Sequence, residues 1–309
     1  MLSNTAAYLS AVREPLAPRE APYLQPGPNE VVIRNHAIAL NPLPIILGSD
    51  VAGEVVAVGS EATSRFSVGD RIVGLVDQGF QEHPTVKTHL ASHLPSHVSY
   101  EQASALPLAL ITASVGLFGK GYLELQHPSV KPKPTGKSLL IWGGATSVGS
   151  CAIQAAVSAG YEVITTASPK NFEYVKKLGA SYVFDFRSPT VQDDIISLGL
   201  MLKAKQSVTN ACLDVASKVD GVKFISMAMS APDKLTGGVD AKFIIAFDIK
   251  TDLELGNVIF RDYLPNALSS GKFTPAPPAE VIGEGLKALQ EGLDTLQKGV
   301  SAKKLVVTM

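Results

Sequence analysis

One segment constrains the fold of this chain more than any other: Ser138-Leu-Leu-Ile-Trp142-Gly143-Gly144-Ala145-Thr146-Ser147-Val148-Gly149. An apolar run ends in two glycines, and a helical pattern starts a few residues later. That order predicts a buried strand, a tight turn and a helix N-terminus. Gly143 and Gly144 let the chain turn and let a ligand approach the backbone. Ser147 and Val148 put free N–H groups at a helix N-terminus, where a pyrophosphate is stabilised, and Gly149 permits close helix-to-strand contact. The segment reads as a dinucleotide-binding turn, with Gly144, Ala145, Thr146, Ser147, Val148 and Gly149 as its contacts. The alternative is a Gly-rich turn without a ligand.

The flanking sequence repeats strand and helix. Ser138–Trp142, Tyr161–Thr166 and Tyr182–Phe186 read as strands, and Val148–Ser158 and Asn171–Leu178 as helices. This alternation predicts an α/β fold with a doubly wound parallel Rossmann sheet. Ala211–Val215, Lys223–Met229 and Lys242–Phe247 are expected to continue the sheet. A helix over Leu255–Leu268, a second over 284–298 and a strand over Lys304–Thr308 follow. Upstream, Glu30–Leu40, Asp50–Val58 and Arg71–Leu75 are short β-branched runs punctuated by Gly and Pro, the pattern of a barrel-like β domain. Tyr100–Lys120 reads as helix, broken near Pro107. The expected organisation is a β-rich domain over 1–108, completed by 266–309, and a Rossmann domain over 109–265.

Composition supports two domains. The 309 residues are 46% hydrophobic and 18% charged, so a sizeable core forms and disorder is excluded. Lys plus Arg number 27 against 28 Asp plus Glu, which argues against nucleic acid as a partner. Two cysteines, Cys151 and Cys212, exclude a disulfide framework and fit a reducing compartment. The N-terminal segment has no apolar run suited to a signal peptide, and no stretch of about 18 apolar residues exists to span a membrane. The expectation is a cytoplasmic protein acting on a small-molecule substrate.

The end of the second strand selects the cofactor. NAD sites usually close that strand with an acid that binds the ribose 2′-OH. Here it ends Thr165-Thr166-Ala167-Ser168-Pro169-Lys170-Asn171, with no acid. A hydroxyl and a cation stand where an acid would repel phosphate, which favours NADP(H). In the alternative reading Ser168 caps the following helix and Lys170 is only solvated.

The run LGSDVAGEVVAVG at 47–59, VGDRIVG at 68–74, GFQE at 79–82, the Leu-Pro…Ile-Thr-Ala segment at 106–113, the GGATSVGS turn and SAKKLVVT at 301–308 together resemble the medium-chain dehydrogenase/reductase superfamily. The chain is most similar to its zinc-independent quinone oxidoreductases and fungal trans-acting enoyl reductases. The resemblance implies a GroES-like catalytic domain beside the Rossmann domain. It also implies NADPH-dependent hydride transfer to an activated C=C bond or quinone. Aldehyde or ketone reduction and a non-catalytic NADP(H)-binding role are the alternatives.

The family's zinc ligands fall on Asn41, Ser49 and Leu108, none a thiolate or imidazole, so no metal is expected. His89, His93 and His97 read as surface-loop residues, since Pro95 breaks any helix that would align them. The resemblance places Asn41, Pro42 and Thr112 at the nicotinamide, with Asn41 and Thr112 as neutral donors and the catalytic candidates. Asp50 is expected to tie strands together. Ser168, Pro169, Lys170 and Asn171 match the 2′-phosphate segment. Phe186 packs on the adenine but lacks the hydroxyl of the Tyr found in relatives. The chain is short for the family, with abrupt joins near 42–44, 76–78, 199–206 and 230–238. Quinone reductases of the family commonly dimerise through the last sheet edge, so a homodimer through 241–247 is expected. The alternative is the monomer usual for trans-acting enoyl reductases.

Overall fold

A computed structural model of the chain describes residues 3–9, 14–41, 48–198, 202–205, 209–229, 235 and 237–309. The chain divides into two compact units. One takes Met1–Leu108, Phe260–Ser269 and Pro275–Met309, the other Ala109–Ile259 and Ser270–Thr274.

The second unit is the doubly wound sheet. Among the described residues its six strands run Tyr182–Asp185, Glu162–Ala167, Ser138–Ile141, Leu202–Lys205, Phe224–Met227, Asp240–Phe243 across the sheet, every pair parallel. In chain order this is 3-2-1-4-5-6, the Rossmann arrangement. Ile164, Leu140, Ile225 and Met227 from the strands pack with Cys212, Val215, Ala216 and Val219 in one buried cluster. The last four residues explain a correction. Ala211–Val215, expected as strand, lies in the helix Thr209–Lys218. Its buried residues recur at helical rather than alternating spacing, so a helix face is what covers the sheet. The fourth strand is instead Leu202–Lys205, within one of the abrupt joins. The join at 42–44 and, of the one at 230–238, residues 230–234 and 236 fall outside the described residues.

The last edge also differs from expectation. The strand stops at Phe243, and Ala246–Lys250 coils into a 3₁₀ helix. Asp240 N–H and Ile244 N–H donate to Lys223 and Met227 of the neighbouring strand, so Phe243 and Ile245 face the free edge. There the Tyr122 hydroxyl donates to the Phe243 carbonyl at 3.1 Å and accepts from the Ile245 N–H at 3.2 Å. The Lys242 ammonium lies 4.2 Å from the Tyr122 ring centroid.

The first unit is built on a seven-stranded sheet among the described residues. Ala279–Glu284, Lys304–Thr308, Glu30–Ala39, Asp50–Val58, Arg71–Leu75 and Ala91–His93 lie in that order, and Thr85–Lys87 pairs with Glu30–Ala39. Val31, Ile33, Val51, Val55, Phe66 and Ile72 fill one cluster, and Ile38, Leu40, Phe80, Leu289, Leu305 and Val307 another. This is the GroES-like β-rich fold. Pro107 separates the helices Tyr100–Ser104 and Pro107–Phe118 as expected, and Ser99 and Gln102 form a capping box on the first. Two helices are corrected. The span 284–298 holds the end of the strand Ala279–Glu284 and then the helix Ala288–Gln297. Leu255–Leu268 is interrupted by a π-helical stretch, Val258–Tyr263, just before Pro265, which has no N–H for the next helical bond.

Candidate active site

In the Rossmann unit the turn after Ser138–Ile141 is sewn to the neighbouring strand. Gly143 adopts φ +78°, a left-handed conformation that favours glycine. Its N–H donates to Thr166 Oγ1 at 3.0 Å, and the Gly144 N–H donates to the Thr166 carbonyl at 2.9 Å. A Cβ on Gly144 would lie 2.3 Å from Thr165 Oγ1, and one on Gly149 would lie 2.3 Å from the Gly143 carbonyl oxygen. No other residue fits at either position without moving backbone or a buried threonine.

Thr146 caps the helix Ser147–Ser158: its Oγ1 accepts from the Gly149 N–H at 3.0 Å and donates to the Gly143 carbonyl at 2.9 Å. The N–H groups of Ala145, Ser147 and Val148 have no partner among the described residues. They form an open cradle of donors at the positive end of a helix, suited to a pyrophosphate.

The strand register brings the other cofactor candidates to the same end of the sheet. Asp185 pairs with Ala167, so Ser168 and Phe186 leave adjacent strands side by side. Ser168 makes no side-chain capping bond to the turn Pro169–Asn171, which leaves its hydroxyl uncommitted to the helix. Lys170 is exposed and has no ion-pair partner among the described residues. Phe186 is 42% exposed, and the Arg187 guanidinium lies 5.6 Å from its ring centroid.

Sequence reasoning missed three residues here. Thr166 holds the turn, as above. Ser150 Oγ donates to the Gly144 carbonyl at 3.1 Å and lies 2.7 Å from the Tyr174 hydroxyl. Burial pushes the Tyr174 hydroxyl up to about 12, so it stays protonated and ties Phe172–Lys177 to the turn. The paired threonines Thr165-Thr166 at the strand end were the legible signal. Nothing in the sequence marks Tyr174.

In the GroES-like unit three strand ends converge on Asp50, which is fully buried. Asp50 Oδ1 accepts from the Leu108 N–H at 2.6 Å, and Oδ2 accepts from Asn41 Nδ2 at 3.0 Å. Lys304 Nζ lies 3.2 Å from Oδ2 and donates to Asn41 Oδ1 at 2.7 Å. Asp50 therefore ties strands together as expected. Asn41 is not a freely rotating donor, because both ends of its carboxamide are held. Lys304 was missed: a lysine opening a strand reads as solvated. Thr112 lies buried on Pro107–Phe118, in the Rossmann unit, and Pro42 lies outside the described residues.

The histidine expectation is corrected. His89 is buried. His93 Nε2 lies 2.9 Å from the Arg65 carbonyl oxygen, and its ring stacks on Phe66 at 4.7 Å. Only His97 of the three is exposed. Among the described residues no three His, Cys, Asp or Glu side chains group as a metal site requires. No helix among them is long and apolar enough to cross a membrane.

The family described as the alcohol dehydrogenase GroES-like domain matches residues 27–96. Dehydrogenase azaJ of Aspergillus niger is 43% identical over 348 aligned positions, covering 100% of each chain. Those positions exceed the 309 residues here, so the shortfall lies inside the alignment. Trans-enoyl reductase himH of Aspergillus japonicus is 36% identical, covering 90% of this chain and 89% of its own. The native structure of mycobacterial Rv1454c complexed with NADPH superposes with a TM-score of 0.74 at 23% identity, covering 99% of this chain and 100% of that one.

Proposed function

Since the chain belongs to the medium-chain dehydrogenase/reductase superfamily, in the branch of quinone oxidoreductases and trans-acting enoyl reductases, we propose that it is an NADPH-dependent, zinc-independent reductase of activated C=C bonds or quinones. The observation that carries the reading is the donor cradle of Ala145, Ser147 and Val148, with exposed Lys170, which has no ion-pair partner among the described residues, on the same sheet end. When bound, the nicotinamide supplies a hydride to an electron-poor carbon. The cradle holds the pyrophosphate, Ser168 and Lys170 meet the 2′-phosphate, Pro169 and Asn171 shape that loop, and Phe186 packs on the adenine. The choice of NADPH over NADH rests on Ser168 and Lys170 and on the absence of an acid at that strand end.

Asn41 Nδ2 has a second hydrogen beyond the one given to Asp50, and it is the donor for a carbonyl oxygen that gains charge as hydride arrives. Thr112, on the helix Pro107–Phe118, is a second catalytic candidate. Asn41, Ser49 and Leu108 offer no zinc ligand, and the cluster around Asp50 is neutral as an ion pair, so catalysis proceeds without a metal. Two buried cysteines, neither in a disulfide, fit the cytoplasm. For assembly we propose a monomer: pairing through 241–247 would have to displace Tyr122 from the edge groups it satisfies.

Stopped-flow oxidation of NADPH by enoyl thioesters and by quinones tests the function. Turnover of either class supports it. Tight NADPH binding with no turnover of any acceptor would favour a non-catalytic binding protein instead.

A further inference from the structure

The strand Lys304–Thr308 begins with a side chain that the reductase reading does not use. The Lys304 side chain is 7% exposed, and that of Asp50 is 0%. Taking two charges out of water is expensive, and an apolar pair of similar volume often serves stability as well or better. Stability alone is therefore a weak reason for the pair. What an apolar pair could not do is orient Asn41. An ammonium only donates and a carboxylate only accepts. With Lys304 Nζ 2.7 Å from Asn41 Oδ1, and Asp50 Oδ2 3.0 Å from Nδ2, a flipped carboxamide would face donor with donor and acceptor with acceptor.

We propose that Lys304 is a positioning residue: with Asp50 it locks the Asn41 carboxamide so that an N–H, and not a carbonyl oxygen, is offered to the substrate. The proposal rests on the reductase reading and narrows it. A fixed donor serves acceptors whose reacting C=C is conjugated to a carbonyl, such as enoyl thioesters, enones and quinones. In these, hydride addition moves the electron pair onto the carbonyl oxygen, which a proton from solvent later neutralises as the enolate collapses to the saturated carbonyl. The chain Nζ–H···Oδ1=C–Nδ2–H is polarised along its length by the ammonium, which strengthens the outer N–H as a donor. Asn41 is half-buried, and its Nδ2 carries a second hydrogen beyond the one given to Asp50.

Lys304→Met alone strands a buried carboxylate and threatens folding. The variant Lys304→Met/Asp50→Asn removes both charges while keeping an oxygen for the Leu108 N–H. It is expected to fold and to bind NADPH within about twofold of wild type, while kcat on an enoyl thioester falls roughly tenfold to a hundredfold. Lys304→Arg, which keeps a cationic donor, is expected to recover most of kcat. In an Asn41→Leu background the double change should cost nothing further, because Lys304 acts through Asn41. Undiminished kcat in the folded double variant, or a full additional loss on Asn41→Leu, would overturn the proposal while leaving the reductase reading intact. A wild-type protein that turns over no acceptor would defeat both. The side-chain amide signal of Asn41 in ¹⁵N NMR reads the lock without turnover. Two well-separated, exchange-protected Nδ2 protons in wild type that move toward free-amide values in the double variant are expected, and identical signals in both would refute it.

Discussion

Thr166→Val is a sharp test of how the dinucleotide turn is held. The change swaps a hydroxyl for a methyl at nearly constant shape. Thr166 is fully buried, and its Oγ1 accepts the Gly143 N–H at 3.0 Å. The second tie, from the Gly144 N–H to the Thr166 carbonyl, is backbone and survives. An N–H left without a partner costs about 1–3 kcal/mol. Gly143 is only half-buried, so water relieves part of that, and about 1–2 kcal/mol remains. For a unit of this size each kcal/mol lowers Tm by roughly 2–4 °C, giving a drop of about 2–8 °C. The loosened turn also misaims the cradle N–H groups, and NADPH should bind about three- to tenfold more weakly, which is roughly 0.7–1.4 kcal/mol. Calorimetry and a fluorescence titration with NADPH read both numbers. A Tm within about 1 °C of wild type together with an unchanged Kd would refute the reasoning that this bond holds the turn.

Other outcomes follow from the same geometry. NADPH should bind roughly tenfold more tightly than NADH, and Lys170→Ala should erase most of that preference while sparing NADH; equal affinity of the unmutated protein for both cofactors would defeat the 2′-phosphate assignment. Activity should survive exhaustive dialysis against a chelator, and stoichiometric zinc in active protein, measured by elemental analysis, would overturn the zinc-free mechanism. Light scattering should give a mass near 32.5 kDa at micromolar concentration; twice that mass in wild type would show that Tyr122 does not close the edge. Gly149→Ala should lower NADPH affinity more than Thr166→Val does, because its Cβ would meet backbone, 2.3 Å from the Gly143 oxygen, in a contact that no side-chain rotation relieves.

Much of the fold was legible where one physical signal dominated. Glu30–Ala39, Asp50–Val58 and Arg71–Leu75 are rich in Val and Ile, and the two glycines after Ser138–Ile141 announce their turn. Ala211–Val215 misled because a short apolar run has no period of its own. Only the continuation to Val219 shows the helical face. Ala279–Glu284 went unread because Glu280, Gly283 and Glu284 leave only Val281 and Ile282 to mark its strand character. The donor-lined turn before Ser147–Ser158 was local in sequence and therefore visible. The cluster at Asp50 was not: Asn41 and Lys304 are separated by 263 positions, and nothing along the chain marks which distant cation will meet a given carboxylate. Tyr122 closes a sheet edge from 121 positions upstream, beyond the reach of any pattern in the strand itself.

The place of Lys304–Thr308 in its sheet has a consequence for biogenesis. The strand lies between Ala279–Glu284 and Glu30–Ala39 in the sheet, and it is synthesised well after Glu30–Ala39 and Asp50. Until it arrives, Ala37–Ala39 lack their strand partner on that flank, and the Asp50 carboxylate lacks its cation. The same event that seals the flank also delivers the ammonium that sets the Asn41 amide. A nascent or prematurely terminated product thus lacks both protection and the oriented donor, and maturation of the one is a built-in report on the other.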